Sequence, residues 1–432
     1  VELYRIEENI KMEKNEKQLK VAFLVETFPR LSETWLVEQI IPLLKSGIDV
    51  QIFAFRRGLD SDISDDVIKN NLLERVTYVD IPNSFPLLIL GMVYHLVLLI
   101  LKPDILRRIL KQIRMDGLRE MIRPIYWCST FSESLNTCDI VHCHFGKMGV
   151  RYLILKDLLG LTQPFVTTFY GQDSSKYIQQ KGRDVYARLS RECSMTLTMT
   201  EEMTNRFRSM GFPKDRVRTH YTAVRIDQYK FNRRTYSTGE TFMIAFVGRF
   251  VEKKGIPDLL SAVHAVVESG QKIELHIFGG GNDDALNRQI AELVERYSLG
   301  DKVVFYGMTS HSDVIEAFAK MHLLVQPSKR ALNGDTDDLP FVLLEAQACG
   351  LPVISTYHVG IPDGVKDGVT GFLVPEGDYM AVAQKILYYI NNPDTVSTMS
   401  VAAREFIETN FSIHTFNEKL VRIYEEIIAK RI

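Results

Sequence analysis

The chain has 432 residues, of which 46% are hydrophobic and 25% charged, with a formal net charge of −2. Its length exceeds one ordinary domain and predicts two or three, with ample apolar material for their cores. The near-neutral balance excludes a dedicated nucleic-acid binder, and five scattered cysteines without a CxxC pair favour reduced thiols and a cytoplasmic setting.

The charged opening, 1–18, lacks the apolar core of a signal peptide and reads as a frayed tail. Short apolar, β-branched runs follow at 21–26, 50–55, 140–145, 165–170 and 195–200. Helical patterns lie among them at 33–46, 148–160 and 201–210. The run FPLLILGMVYHLVLLIL, 85–101, is nearly all apolar but falls short of the ~20 residues a spanning helix needs. The segment after it, to residue 123, is basic and amphipathic. Two readings stand for 85–123: a buried helix followed by a solvated one, or a monotopic patch on an anionic membrane face.

A polar, turn-rich stretch, 213–240, marks a boundary, with the linker itself at 221–240. Apolar runs then start afresh at 243–250, 273–280, 303–307, 323–328, 352–356 and 371–375, with helical patterns at 256–269, 284–298, 311–319 and 341–349. The last segment, 412–432, is helical, with Phe416, Leu420, Ile423 and Ile427 on one face. Strands alternating with helices imply parallel sheets with right-handed crossovers. Two such series predict two doubly wound, Rossmann-like domains, 19–220 and 241–411, with ligands expected beyond the carboxyl ends of the strands. The final helix is expected to return to the first domain.

Two stretches carry chemistry. In GRFVEKKG, 248–255, Gly248 permits a tight turn, and Arg249 and Lys254 place cations beside a helix start that already favours anions. The alternative is a solvated turn. In GDTDDLPFVLLEAQACGLP, 334–352, Asp337 precedes a helix and Glu345 lies within it, eight positions on. At 1.5 Å per residue the two acids sit at different depths, Asp337 at the rim and Glu345 a turn further in. Phe341 and Val342 would offer backbone N–H groups to phosphate. The alternative makes Asp337 a cap and Glu345 an exposed acid.

In the first half, TTFYGQD, 167–173, closes a buried strand with Tyr170 and Asp173, and Asp173, beyond the Gly171 turn, is expected to bind a sugar hydroxyl or orient the acceptor. A tyrosine pKa near 10 makes Tyr170 a poor base but a good donor for a sugar hydroxyl; packing alone is the other reading. His142 and His144 share one strand face and form half a metal site without an evident partner, so His144 is assigned to substrate. The acid pairs of LDSDISDD, 59–66, and GDTD read as loop and helix mouth rather than metal ligands, and metal independence is expected.

GRFVEKKG followed by DDLPFVLLEAQACGLPVIST resembles the C-terminal half of a GT-B glycosyltransferase of the retaining family numbered four. FPRLSETWLVEQI (28–40), HCHFGKMG, TTFYGQD and PSKRALNGDTDDLPFVLLEA are similar to the colanic-acid and amylovoran type of exopolysaccharide transferases. The resemblance covers about residues 20–428. It implies that Arg249 and Lys254 hold the diphosphate of a UDP- or GDP-linked sugar, that Glu345 binds ribose and that Asp337 contacts the donor sugar. Gly280 and Gly307 would border the base. Ser32, Glu33 and Thr34 would begin a helix at acceptor or phosphate. The acceptor implied is a saccharide or lipid-linked oligosaccharide, met by an enzyme that is cytoplasmic or peripheral on the inner membrane face. No cofactor is implied. Asp337 stands where relatives carry a longer Glu, Tyr170 where they often carry His, and Arg225 where many carry Asp. Another enzyme of the same fold, such as a nucleotide-sugar epimerase, and a non-catalytic sugar-binding subunit remain as alternatives. A phosphorylase would need a pyridoxal lysine, for which no motif is seen.

Overall fold

The structure is a computed structural model that describes residues 18–30, 34–174 and 176–430. Among the described residues, thirteen strands form two sheets. The first takes β1 (Lys20–Phe28), β2 (Asp49–Arg57), β3 (Val76–Tyr78), β4 (Ile140–His144), β5 (Phe165–Phe169), β6 (Met195–Thr198) and β7 (Val217–Thr219) in the order β3-β2-β1-β4-β5-β6-β7. The second takes β8 (Phe242–Val247), β9 (Ile273–Phe278), β10 (Val303–Gly307), β11 (Leu323–Val325), β12 (Val353–Thr356) and β13 (Gly371–Val374) in the order β10-β9-β8-β11-β12-β13. Every pairing in the second sheet is parallel. In the first, β1 runs parallel to both β2 and β4.

The central strands of these sheets are covered on both faces, so they need no polar alternation. Val21, Ala22, Phe23 and Leu24 in β1 are fully buried in succession, as are Leu323, Leu324 and Val325 in β11. The strand order reverses between β1 and β4 in one sheet and between β8 and β11 in the other, which fixes where each sheet presents a crevice.

The chain divides into two compact units less simply than a cut near residue 220 predicts. Unit 1 is 1–197, 210–218 and 417–432; unit 2 is 198–209 and 219–416. The helix Glu201–Ser209 belongs to unit 2 because the Asp363 carboxylate accepts from the Glu201 N–H at 2.8 Å, and Gly360 packs against Thr200. The turn-rich boundary stretch 213–240 contains β7, a three-residue edge strand too short to show a period. β3, at the other edge, is equally short and equally hidden in the sequence.

Candidate functional site

In unit 1, the helix that follows β1 and the loops after β4 and β5 meet at the β1/β4 switch point. Ser32 and Glu33 lie outside the described residues, and Thr34 supplies the first backbone position of the helix Thr34–Lys45. Trp35 in that helix lies 4.5 Å from the Tyr170 ring and 5.5 Å from His144, centroid to centroid. Tyr170 Oη and His144 Nδ1 are 2.9 Å apart. His144 is 1% exposed, and its Nε2 has no partner. Burial drives its pKa down to about 3, so the imidazole is neutral.

Stacked on it at 4.3 Å is His142, pinned by Tyr424 Oη at Nδ1 (2.6 Å) and Thr168 Oγ1 at Nε2 (2.7 Å). Tyr424 comes from the helix Ile413–Ala429, so the end of the chain braces this site. Phe145 turns the chain out of β4 at φ 75°, a strained setting for a side chain with a Cβ, and its ring packs on Tyr170 at 4.6 Å.

Asp173 departs from expectation. It is 3% exposed, and its carboxylate accepts from the Tyr170 N–H at 3.1 Å and lies 3.4 Å from Tyr186 Oη. An acid three residues beyond a helix start and reaching back to that start is one half of a capping box. Asp173 therefore holds the turn that aims Tyr170, rather than standing open to a sugar. Burial outweighs these bonds and pushes its carboxyl up to about 6.

In unit 2 the switch point lies between β8 and β11. The loop after β8 makes a short turn, Glu252–Lys254, and then begins the helix Ile256–Glu268. The loop after β11 carries Asp337 over that helix start. Asp337 is gripped by both lysines, Lys254 Nζ at 2.6 Å and Lys253 Nζ at 3.2 Å, and Lys253 also reaches Asp335 at 3.1 Å. Burial raises the Asp337 pKa, but the two ammoniums outweigh it and hold the carboxyl below its usual range. Arg249 is exposed at the mouth of the same loop.

Glu345, on the helix Phe341–Ala348, accepts at Oε1 from Tyr229 Oη (3.3 Å) and lies 3.0 Å from His311 Nε2. The side chains of Asp337 and Glu345 are about equally covered, at 15% and 16% exposure. Asp337 does not cap the helix, whose cap position is Pro340. The loop folds back across the helix mouth because the Gly360 N–H donates to the Asp338 carbonyl at 2.9 Å.

Close backbone approach completes the unit. A Cβ at Gly279 would collide with the Gly248 carbonyl, and the Phe250 N–H donates to Gly280 at 2.9 Å. Phe250, Gly279, Gly280, Gly281 and Gly307 rim a cavity of about 650 Å³ that continues along the helix Asp284–Arg296. Gly280 and Gly307 are thus brought together, as a shared border for one ligand requires. Phe341 and Val342 open their helix at the mouth.

Sequence reasoning missed Lys253, Tyr229, His311 and Trp35. Lys253 sits inside the quoted motif; the others come from distant segments and leave no local signal. Among the described residues, no group of three or more His, Cys, Asp or Glu is placed to hold a metal, and all five cysteines are free and buried.

Two doubly wound parallel sheets in one chain, each presenting its loops at a switch point, make the GT-B fold of sugar transferases. The crystal structure of Anabaena Alr3699/HepE in complex with UDP superimposes with a TM-score of 0.70, covering 94% of this chain and 100% of that one at 16% identity, a likeness of fold. The profile of glycosyl transferases group 1 matches residues 228–406, which hold all the unit 2 site residues above. The amylovoran biosynthesis glycosyltransferase AmsK of Erwinia amylovora is 27% identical over 95% of this chain and 100% of its own length. WcaL of Escherichia coli, named for colanic acid biosynthesis, matches to the same extent. The chain is a glycosyltransferase that carries the glycosyl transferases group 1 region over 228–406 and resembles the colanic-acid and amylovoran type over nearly its full length.

Proposed function

We propose that the protein transfers a sugar from a UDP- or GDP-linked donor, with retention, to a saccharide or lipid-linked oligosaccharide in surface polysaccharide synthesis. Likeness to AmsK and WcaL supports the pathway class, and likeness of fold to a UDP-bound structure supports the donor class. The observation that carries the reading is the Lys253–Asp337–Lys254 cluster at the β8/β11 switch point, with Glu345 on the adjoining helix.

In this reading Arg249, Lys253 and Lys254 receive the diphosphate at a helix start. Asp337 holds a hydroxyl of the donor sugar, and Glu345, steadied by Tyr229 and His311, takes the ribose. The bond from the anomeric carbon to the phosphate oxygen breaks, and the acceptor oxygen bonds to the same face of that carbon. The acceptor's proton passes to the departing phosphate. The lysines stabilise the charge that develops there, so no side-chain base is needed. Tyr170, aimed by Asp173 and backed by His144, donates to a sugar hydroxyl. The acceptor's lipid places the enzyme peripherally at the cytoplasmic face of an anionic membrane.

Calorimetric titration tests the donor half. UDP or GDP should bind at least tenfold more tightly than its monophosphate, and Lys254→Met should erase that difference. Equal affinity for mono- and diphosphate would contradict the diphosphate assignment.

A further inference from the structure

Among the described residues no helix is long and apolar enough to cross a membrane. The helix Phe85–Ile100 is nonetheless apolar on both sides. Its packed side buries Met92 and Leu99 and also carries its few less apolar features. Gly91 meets the Tyr126 hydroxyl, which donates to the Leu88 carbonyl at 2.7 Å, and His95 pairs with Ser129. Its outward side carries large apolar groups: Leu87, Leu90, Tyr94, Val97, Leu98 and Leu101, with Leu90 67% and Leu101 86% exposed. A continuous apolar face of this size is uncommon on a protein surface without a partner.

The next two helices, Pro103–Asp116 and Leu118–Phe131, pack against it and are basic. Segment 85–123 holds seven cations against three carboxylates, in a chain whose net charge is −2. Arg107, Lys111, Arg114 and Arg119 are exposed.

We propose that this face docks on an anionic bilayer, with the helix Phe85–Ile100 lying in the interface and the following helix set against the headgroups. Sixteen residues make a helix about 24 Å long, short of the ~30 Å hydrocarbon core, so the helix lies along the surface rather than through it. Apolar burial alone gives marginal, reversible binding, and a neighbouring basic patch supplies the second attraction that stable anchoring takes. The charge surplus selects a bilayer over an apolar protein partner. The reason for docking rests on the reading of a lipid-linked acceptor; the docking itself does not.

Flotation with vesicles of phosphatidylcholine, alone or mixed with phosphatidylglycerol, tests the proposal. The full chain should float with the mixed vesicles at low salt and be released as salt rises. Leu90→Ser combined with Leu101→Ser should abolish flotation. Arg107→Ala, Lys111→Ala and Arg114→Ala together should weaken it roughly a hundredfold. Donor turnover by these variants in vesicle-free solution should equal that of the parent, so loss of docking is told apart from loss of catalysis. Protein that stays in the aqueous phase at low salt would overturn the proposal. So would serine variants that still float, or a parent that dimerises through this face and ignores vesicles.

Discussion

Tyr170 is held by rings on two sides, Trp35 and Phe145, and by His144 at its hydroxyl. Removing only the hydroxyl tests what that group does. Tyr170→Phe should keep the thermal midpoint while kcat/KM falls tenfold to a hundredfold, about 1.4–2.7 kcal/mol of transition-state binding. Turnover near the parent's would leave Tyr170 a packing residue. Asp173 answers to pH. With its carboxyl raised to about 6 against ~3.9 in the unfolded chain, the folded state favours the neutral acid. Stability is therefore highest below pH 4, falls as pH rises through 6, and stays lower above it. Asp173→Asn, neutral throughout, should melt higher than the parent at pH 8, by about 2–3 kcal/mol of stability at most, and should lose that advantage at pH 4. The gain is visible only if the amide oxygen still accepts from the Tyr170 N–H. At this scale the sequence carried a good deal. The residues of GRFVEKKG and the Asp337-to-Glu345 spacing stand where the switch point puts them. The sequence was silent on Tyr229 and His311, because partners brought by tertiary contact leave no period or spacing behind.

At the scale of elements, the loops after β8 and β11, joined by the contacts of Lys253 and Lys254 with Asp337, also meet backbone to backbone at Gly255. Gly255 caps the helix Ile256–Glu268 at φ 69°, and a Cβ there would collide with the Pro327 carbonyl. Gly255→Ala should cost about 1–3 kcal/mol and raise the KM for donor, because the turn bearing Lys253 and Lys254 must shift. An unchanged KM would disconnect that turn from the donor. A second link runs through Glu376, which accepts from His358 Nδ1 at 2.7 Å and from the Arg330 N–H at 2.8 Å. It ties the loops after β11, β12 and β13, and so steadies the segment that carries Asp337. Glu376→Gln should lower kcat several-fold with a smaller change in nucleotide affinity, measured by steady-state kinetics beside UDP titration. Long elements were legible, since buried strands and amphipathic helices repeat with clear periods. β3 and β7 were not, because three residues at a sheet edge have no period to read.

For the whole molecule, two sheets of the same winding order were legible from alternating strand and helix patterns, and the likeness of fold extends over nearly the full chain. The division into units was less so, because the hydrogen bond from Glu201 to Asp363 links segments far apart in sequence. The central claim is that the Lys253–Asp337–Lys254 cluster and Glu345 serve transfer from a nucleotide-sugar. The most direct measurement is release of labelled sugar from a panel of UDP- and GDP-sugars by the parent, Asp337→Asn and Glu345→Gln, with all three shown folded by circular dichroism. The account predicts turnover of at least one donor by the parent, with the anomeric configuration retained in the product, and a loss of about a hundredfold or more in each variant. A folded parent that neither binds nor turns over any donor, or variants that turn it over like the parent, would contradict it.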